Sequence, residues 1–419
     1  MITPDRIMGN LGLLKLDLMR RGAVIEPGAL ESISARGYRV DGAGPFGGAD
    51  DVDLLLGQDT WVSVPLTASE ESTPYRLRQA DDGAYEVGCD ESGGLAVPAR
   101  LSPRSHVFEH ATEKGIPFGR FGTVHGPYLA LSPTNHCSFL GTRDQCRFCG
   151  VVAPPDEQAG LTVDDVLEAI RIARAEHPVN IVYLSIGHLA SEDGGVAFLE
   201  PYVRAIKKHF DILVSVDALP PKDNSWIDRT YGMGVDSVSY NLEIYDEKLF
   251  ATMCPGPARA IGRQRFLDAL SYATTVFPSG GVTCHLIVGL EPLESTLTGI
   301  DELTKRGILP VLPVFRPFKG RDMRSVLDVE RFEPSFEELV DVYSRLYDRV
   351  KEHKLSLNLV RDISIVTTPL DARFFGTPPT RIQSLFNRVM GMRFARRTSA
   401  YLSDMRRNLR VREVSTGNG

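Results

Sequence analysis

Three of the six cysteines in this 419-residue chain fall within "NHCSFLGTRDQCRFCGV", residues 135–151. Cys137, Cys146 and Cys149 carry the spacing C-x8-C-x2-C. Thiolates bind soft metals, and a two-residue gap lets two sulfurs reach one centre. Three chemistries compete for such thiols: a structural zinc, a redox dithiol and an iron–sulfur cluster. Zinc sites usually close with four ligands, so the loop would need His136 or a distant cysteine. His136 adjoins Cys137, and adjacent residues rarely present both side chains to one ion. A redox CxxC pair usually begins a helix in a thioredoxin-like unit, and it would leave Cys137 unexplained. A [4Fe–4S] cluster on three cysteines employs all of them and leaves one iron open to another ligand. The cluster is the favoured reading.

The elements around the loop must place it. "YLALS" (128–132) is a short apolar run leading straight into the cysteines. After it, "LTVDDVLEAIRIARAEH" reads as a helix, with Thr162 and Asp165 set as a capping box and Val163, Val166, Leu167 and Ile170 on one face. Buried strands are expected at 180–187, 211–217, 237–243, 281–291 and 308–318, with helical patterns between them. Continuous apolar strands alternating with amphipathic helices imply a parallel sheet covered by helices. Six such units predict an α/β fold, a partial (β/α)6 barrel of the TIM type over residues 121–325. The cysteine loop then lies at the C-terminal ends of the strands, where barrels keep their chemistry.

Residues 1–120 have another texture. Met8, Leu11, Leu14 and Leu18 recur at helical spacing, then "TWVSVPL", "YRLRQ" and "AYEVG" alternate between turn signals. They predict a helix and a small β-rich N-terminal domain, in which Cys89 is structural. Residues 326–419 are expected to form a helical extension, beginning with an amphipathic helix at 334–354. Its tail, 381–412, has nine arginines against one acidic residue, Asp404, which suits a solvated helical face packed on the barrel.

Composition bounds the function. Apolar residues make up 42% and charged residues 24%, the balance of a soluble chain with a core. With 47 basic and 54 acidic residues the net charge is −7, which favours neither nucleic acid nor an anionic membrane as partner. No apolar run nears the roughly 20 residues that cross a bilayer, and the first residues lack a signal-peptide pattern. Clustered thiols without a disulfide framework suit a cytoplasmic protein.

The aromatic inside the second pair, Phe148 in "CRFCG", and the order strand, cysteine loop, helix resemble the radical S-adenosylmethionine (SAM) superfamily. That resemblance implies a [4Fe–4S] cluster whose open iron holds SAM, and a 5′-deoxyadenosyl radical that abstracts hydrogen. The superfamily's usual spacing is C-x3-C-x2-C, so this chain has five extra residues in the first gap. "YNLEIYDEKLFATMCPGP" with "RQRFLDAL" after it is similar to the biotin synthase and lipoyl synthase branch. By that resemblance Asn241 and Glu243 meet the SAM ribose and Arg265 pairs with the SAM carboxylate, with Arg263 as the other arginine in reach. Gly289, in "IVGLE", matches the strand against which adenine packs.

Two departures stand out. The branch's "GGE", which grips the SAM amino group, is here "SIGHLA". Gly187 remains, and Ser185 or His188 would have to supply an acceptor. Sulfur insertion needs cysteines for a second cluster, and only Cys89, Cys254 and Cys284 lie outside the loop; Cys254 falls in a turn, "MCPGP". The expected enzyme therefore abstracts hydrogen from a small molecule, while sulfur insertion and a zinc-stabilised binding protein are the rivals. Strand-end position nominates His188, Asp217, His285, Arg316 and Tyr240 for the substrate. The resemblance implies a flavodoxin- or ferredoxin-type electron donor. The segment leading into the barrel is similar to biotin-synthase-like proteins found in clusters with nitrilases.

Overall fold

The computed structural model describes residues 2–35, 51–57, 60–66, 73–80, 83–102, 105–151, 160–315 and 333–357, with 359, 372, 375 and 401–408. Two helices, α1 (Pro4–Met8) and α2 (Leu11–Arg21), replace the single N-terminal helix expected. Gly9 ends the first, and the Asn10 side chain caps the second by accepting from Gly12 N and Leu13 N. After β1 (Val24–Ile25) and α3 (Pro27–Ala35) come β2 (Val52–Leu56), β3 (Thr60–Val64), β4 (Tyr75–Gln79), β5 (Tyr85–Cys89) and β6 (Ala96–Leu101). They form a six-stranded sheet in the order β1-β4-β5-β6-β2-β3, antiparallel except for the β1–β4 pair.

The second sheet has seven strands. Its edge is a hairpin, β7 (Gly122–His125) against β8 (Tyr128–Leu131), which the sequence reading had as one strand. From β8 onward the sheet is parallel and in sequence order: β9 (Ile181–Ser185), β10 (Leu213–Asp217), β11 (Ser237–Ser239), β12 (Val282–His285) and β13 (Leu309–Val311). The crossovers carry α4 (Val163–Glu176), α5 (Val196–His209), α6 (Ser225–Gly232), the run α7 (Glu247–Met253), α8 (Pro255–Ala260) and α9 (Arg263–Val276), and α10 (Leu293–Lys305). This is a curled half-barrel of six parallel strands, an α/β fold. The capping box at the head of α4 forms as expected: Thr162 Oγ1 accepts from Asp165 N, and Asp165 accepts from Thr162 N.

Asp53 ties the two sheets together. This buried β2 carboxylate meets His125 Nδ1 at 3.1 Å and accepts from Gly126 N at 3.1 Å, both in the β7–β8 turn. The long helix α11 (Phe336–Glu352) packs on the barrel, and Arg345 and Arg349 both reach Asp301 of α10. A helix over residues 401–408 docks on the other end of the strands. There Arg407 and Ser403 bond the wholly buried Asp236, which precedes β11. Most of the arginine-rich tail, and Arg316, lie outside the described residues.

Candidate active site

The cysteine loop leaves β8 and is held from two sides. Ser138 N donates to His188 O at 2.8 Å, Ser138 Oγ meets His188 Nδ1 at 2.6 Å, and the Phe139 ring stacks on His188 at 4.4 Å. Across the loop, Arg147 N donates to Met253 O at 2.8 Å and Gly256 N to Asp144 O at 3.0 Å. Two glycines make the fit possible. A Cβ on Gly187 would lie 2.5 Å from Cys137 Cβ, and one on Gly256 would lie 2.6 Å from the Phe139 ring. At both contacts the neighbouring chain lies against bare glycine backbone.

The extra residues of the first gap wind into local turns. Leu140 N donates to Cys137 O, Thr142 N to Phe139 O and Gln145 N to Thr142 O, while the Gln145 side chain accepts from Gly141 N. Gly141 takes a positive φ of 70° to allow it. A nine-residue step in sequence therefore becomes a compact excursion between Cys137 and Cys146. The three thiols share one electrostatic neighbourhood: Cys149 feels Cys146, Cys137 and Glu243, and burial pushes its thiol up.

Facing the loop, the C-terminal ends of the central strands gather polar side chains on the concave side. Ser185 Oγ donates to Asp217 at 3.0 Å, and Asn241 Nδ2 donates to the other Asp217 oxygen at 2.8 Å. Asn241 Oδ1 accepts from Ser239 Oγ at 2.5 Å and from His285 N at 3.0 Å. Tyr183, on β9, has a buried hydroxyl without a hydrogen-bond partner, and burial raises its pKa. Burial lifts Asp217 to about 7 against the Ser185 hydrogen bond, and it depresses His285 to about 4. This chamber holds its titratable groups neutral more readily than water does.

Glu243 is the odd residue of the rim. It has a φ of +67°, a conformation that costs a non-glycine residue about 1–3 kcal/mol. Its backbone bonds to the end of β12 and the residues just past it hold it there, through Glu243 N to His285 O and Ile287 N to Glu243 O, each 2.8 Å. Its Oε2 is buried without a hydrogen-bond partner, and burial together with Asp217 and Cys146 raises its pKa well above the carboxylate range. Arg265 holds another such group. Its Nε donates to Pro221 O at 2.7 Å, while Nη2 is buried without a partner. Arg263 instead spends Nε and Nη2 on Tyr245 O, with its guanidinium over the Tyr245 ring. Of the two arginines, Arg265 keeps the spare donor.

The other nominated residues divide. Ser185, Asp217, Asn241 and His285 come together in the chamber. His188 braces the cysteine loop, and Gly187 is the close approach beside it. Phe148 is half-buried against the core. Tyr240 lies on the opposite, helix-facing side, in a cavity lined by Val196, Leu199, Met233 and Val238. Gly289 has a φ of 101° in the buried stretch after β12. Tyr183 and Glu291 were not singled out from sequence. Strand alternation from Ser185 would have found Tyr183. Glu291 accepts from Tyr245 N and Asp246 N at 2.9 and 2.8 Å, bracing the segment that follows Glu243; no sequence signal marks that contact.

Residues 131–296 match the family model of the radical SAM superfamily, so the barrel is a radical SAM domain. Among known proteins, this chain is similar to the bacteriochlorophyllide c C-7(1)-hydroxylase of Chlorobaculum limnaeum, 25% identical over 152 residues. That match takes in 34% of this chain and 38% of the hydroxylase, well under half of the relative's length. Among solved structures, methylornithine synthase (PylB) is 16% identical, covering 68% of this chain and 87% of that one, with a TM-score of 0.45. HydG, a maturase of the [FeFe]-hydrogenase, is also 16% identical, covering 57% and 55%, with a TM-score of 0.43.

A radical SAM domain implies SAM and a [4Fe–4S] cluster, and the residues present fit both. Three thiols share one loop, Glu243 holds a spare buried oxygen, Arg265 at the head of α9 holds a spare buried donor, and Gly187 lets the rim approach Cys137. Among the described residues no three His, Cys, Asp or Glu side chains gather about a single ion. A cluster does not ask for that, because each of its thiolates binds a different iron.

Proposed function

We propose that this protein is a radical SAM enzyme that abstracts hydrogen from a small-molecule substrate, leading to rearrangement, fragmentation or bond formation. When bound, the cluster and SAM supply one-electron cleavage of the sulfonium to a 5′-deoxyadenosyl radical. Cys137, Cys146 and Cys149 hold the cluster. Glu243 accepts from ribose hydroxyls through the oxygen that has no partner in the protein. Arg265 offers Nη2 to the SAM carboxylate, the planar contact a guanidinium makes best. Asp217, presented by Ser185 from the neighbouring strand, stands in for the acid missing from "SIGHLA". Asn241 orients Asp217, and the Tyr183–Ser239–His285 surround presents neutral hydrogen-bonding groups to a substrate while the barrel wall keeps water away. The single observation that carries this reading is Glu243: a strained backbone and an unpaired buried carboxyl beside the cysteine loop, a combination that folding alone does not favour.

The similarity to a hydroxylase supports an enzyme acting on a small molecule. Exposed Arg143 and Arg147 on the cysteine loop suit an acidic donor of the flavodoxin or ferredoxin type. No helix among the described residues is long and apolar enough to cross a membrane. The test is anaerobic reconstitution with iron and sulfide, then dithionite and SAM, with 5′-deoxyadenosine as the readout. Wild-type protein is expected to form it and Cys146→Ala to form none. Iron-loaded wild type that makes none would overturn the proposal, as would a chain that takes up only zinc.

A further inference from the structure

The two departures from the family pattern, the long first gap and the "SIGHLA" stretch, meet in space. The gap begins with Ser138 and Phe139, and the missing acid's place after Gly187 is taken by His188. Ser138 and His188, fifty residues apart in the chain, are joined twice. Ser138 N donates to His188 O at 2.8 Å, and Ser138 Oγ meets His188 Nδ1 at 2.6 Å. The half-buried Phe139 ring then lies flat on the imidazole, with centroids 4.4 Å apart and planes 7° from parallel. Phe139 also meets α8. A Cβ on Gly256 would stand 2.6 Å from both the Phe139 ring and Asp144 O, so only bare backbone fits there. Phe139 is thus a wedge between the loop after β9 and the head of α8. Beside it, Gly187 lies bare against Cys137.

We propose that the two departures are one device: His188 seats Phe139, and the wedged pair positions Cys137 for the cluster across the lengthened gap. The inference rests on the reading of the cysteine loop as a cluster site. Each residue added between two ligands widens the range of separations their sulfurs can take, and closing that range costs conformational entropy. The local turns from Cys137 to Gln145 remove part of that freedom. The stack removes more, because it fixes the second residue past Cys137 to the barrel, while Gly256 N holds Asp144 O at the far end of the insertion. His188 and Phe139 touch neither SAM nor substrate in this scheme. Both are positioning residues.

The experiment follows chelator-driven bleaching of the reconstituted chain without SAM, by absorbance and by EPR of the reduced cluster. It compares wild type with Phe139→Ala, Phe139→Tyr, His188→Ala and the Phe139→Ala/His188→Ala pair. Losing a supporting contact outside the ligands weakens metal retention by roughly 10- to 100-fold, and each single alanine variant is expected to bleach faster by that factor. Tyrosine keeps a ring for the stack and is expected to bleach near the wild-type rate. The double variant is expected to bleach no faster than His188→Ala alone, because both changes remove the same contact. Wild-type bleaching in Phe139→Ala, a tyrosine variant as leaky as the alanine one, or effects that add in the pair would each overturn the proposal. Thermal unfolding of the metal-free variants is expected to stay near wild type. A fall that tracks the iron loss would assign the ring to folding and overturn the proposal as well. A wild-type chain that takes up no iron–sulfur cluster would instead overturn the reading of the loop on which it rests.

Discussion

The two faces of strands β9 to β11 differ residue by residue. Val182, Leu184, Val214, Val216 and Val238 are fully or nearly fully buried on the convex face, and Val216 and Val238, with Tyr240, line a cavity beneath α5 and α6. The alternate residues Tyr183, Ser185, Ser215, Asp217, Ser237, Ser239 and Asn241 form the concave face, where all but Tyr183 bond to one another through hydroxyls, an amide and a carboxyl. One face is stabilised by removal of apolar surface from water, the other by mutual satisfaction of polar groups. The concave face contributes little net stability for its composition. It is therefore the face free to carry chemistry, and substitutions on the two sides should separate folding from activity.

The largest effect is expected on the convex side. Leu184→Ala should cost about 2–5 kcal/mol in denaturant unfolding, from lost burial plus a cavity. Its neighbour Ser185→Ala should cost far less while weakening 5′-deoxyadenosine formation. Equal stability losses at these two positions would erase the distinction between the faces.

Glu243→Gln comes next. Replacing the carboxyl by an amide leaves a buried polar group facing the ribose unpaired, so equilibrium binding of SAM should weaken by roughly 5- to 100-fold, the range of about 1–3 kcal/mol for such a group. The folded state should not suffer, because the amide removes a buried carboxyl. Unchanged SAM affinity would detach Glu243 from the cofactor.

A third effect is set by pH. Burial raises both Asp217 and Glu291 to about 7, against ordinary values of 3.8 and 4.5. Folding thus favours their protonated forms. The stability they contribute is full below the ordinary carboxylate range and is lost as pH rises through about 7. The unfolding temperature of the metal-free chain should therefore fall between about pH 4 and pH 7 and level off above, and Asp217→Asn should flatten that decline. A decline as steep in Asp217→Asn as in wild type would place the titration elsewhere.

The smallest effect lies within the concave network. Ser237 Oγ donates to Ser215 Oγ at 2.7 Å, both buried. Ser215→Ala strands that donor and should cost about 1–3 kcal/mol, whereas the Ser215→Ala/Ser237→Ala pair should cost less than the sum of its singles. An additive double mutant would mean the two hydroxyls do not depend on each other.

Much of the barrel was legible because it is local. The capping box at Thr162 and Asp165, the apolar strand runs and the helix periods each depend on residues a few positions apart. The hairpin that adds β7 was missed because "GTVH" is too short and mixed to announce a strand. It is held by pairing with β8, from Gly122 opposite Leu131 to His125 opposite Tyr128. The break at Gly9 divided one amphipathic pattern into two helices for a similar reason, since capping by Asn10 competes with continuity and wins. At the rim, strand ends could be located but their faces could not. Tyr240 and Asn241 are neighbours in sequence, and strand alternation sends one to the helices and the other to the chamber.

What the sequence by itself determined was the set of three thiols, their order after a strand, and the alternation that builds a half-barrel around them. Those follow from residue type and short-range spacing. Tertiary structure alone decided which polar groups remain unpaired, because that requires every neighbour to be in place. It gave Arg263 to a backbone carbonyl and left Arg265 a spare donor. It set His188 against Ser138 and Phe139 of the cysteine loop. It also carried Met253, more than a hundred residues along the chain, to the cysteine loop, where its carbonyl accepts from Arg147 N. Such contacts are fixed by packing between elements far apart in sequence, and no local pattern encodes them.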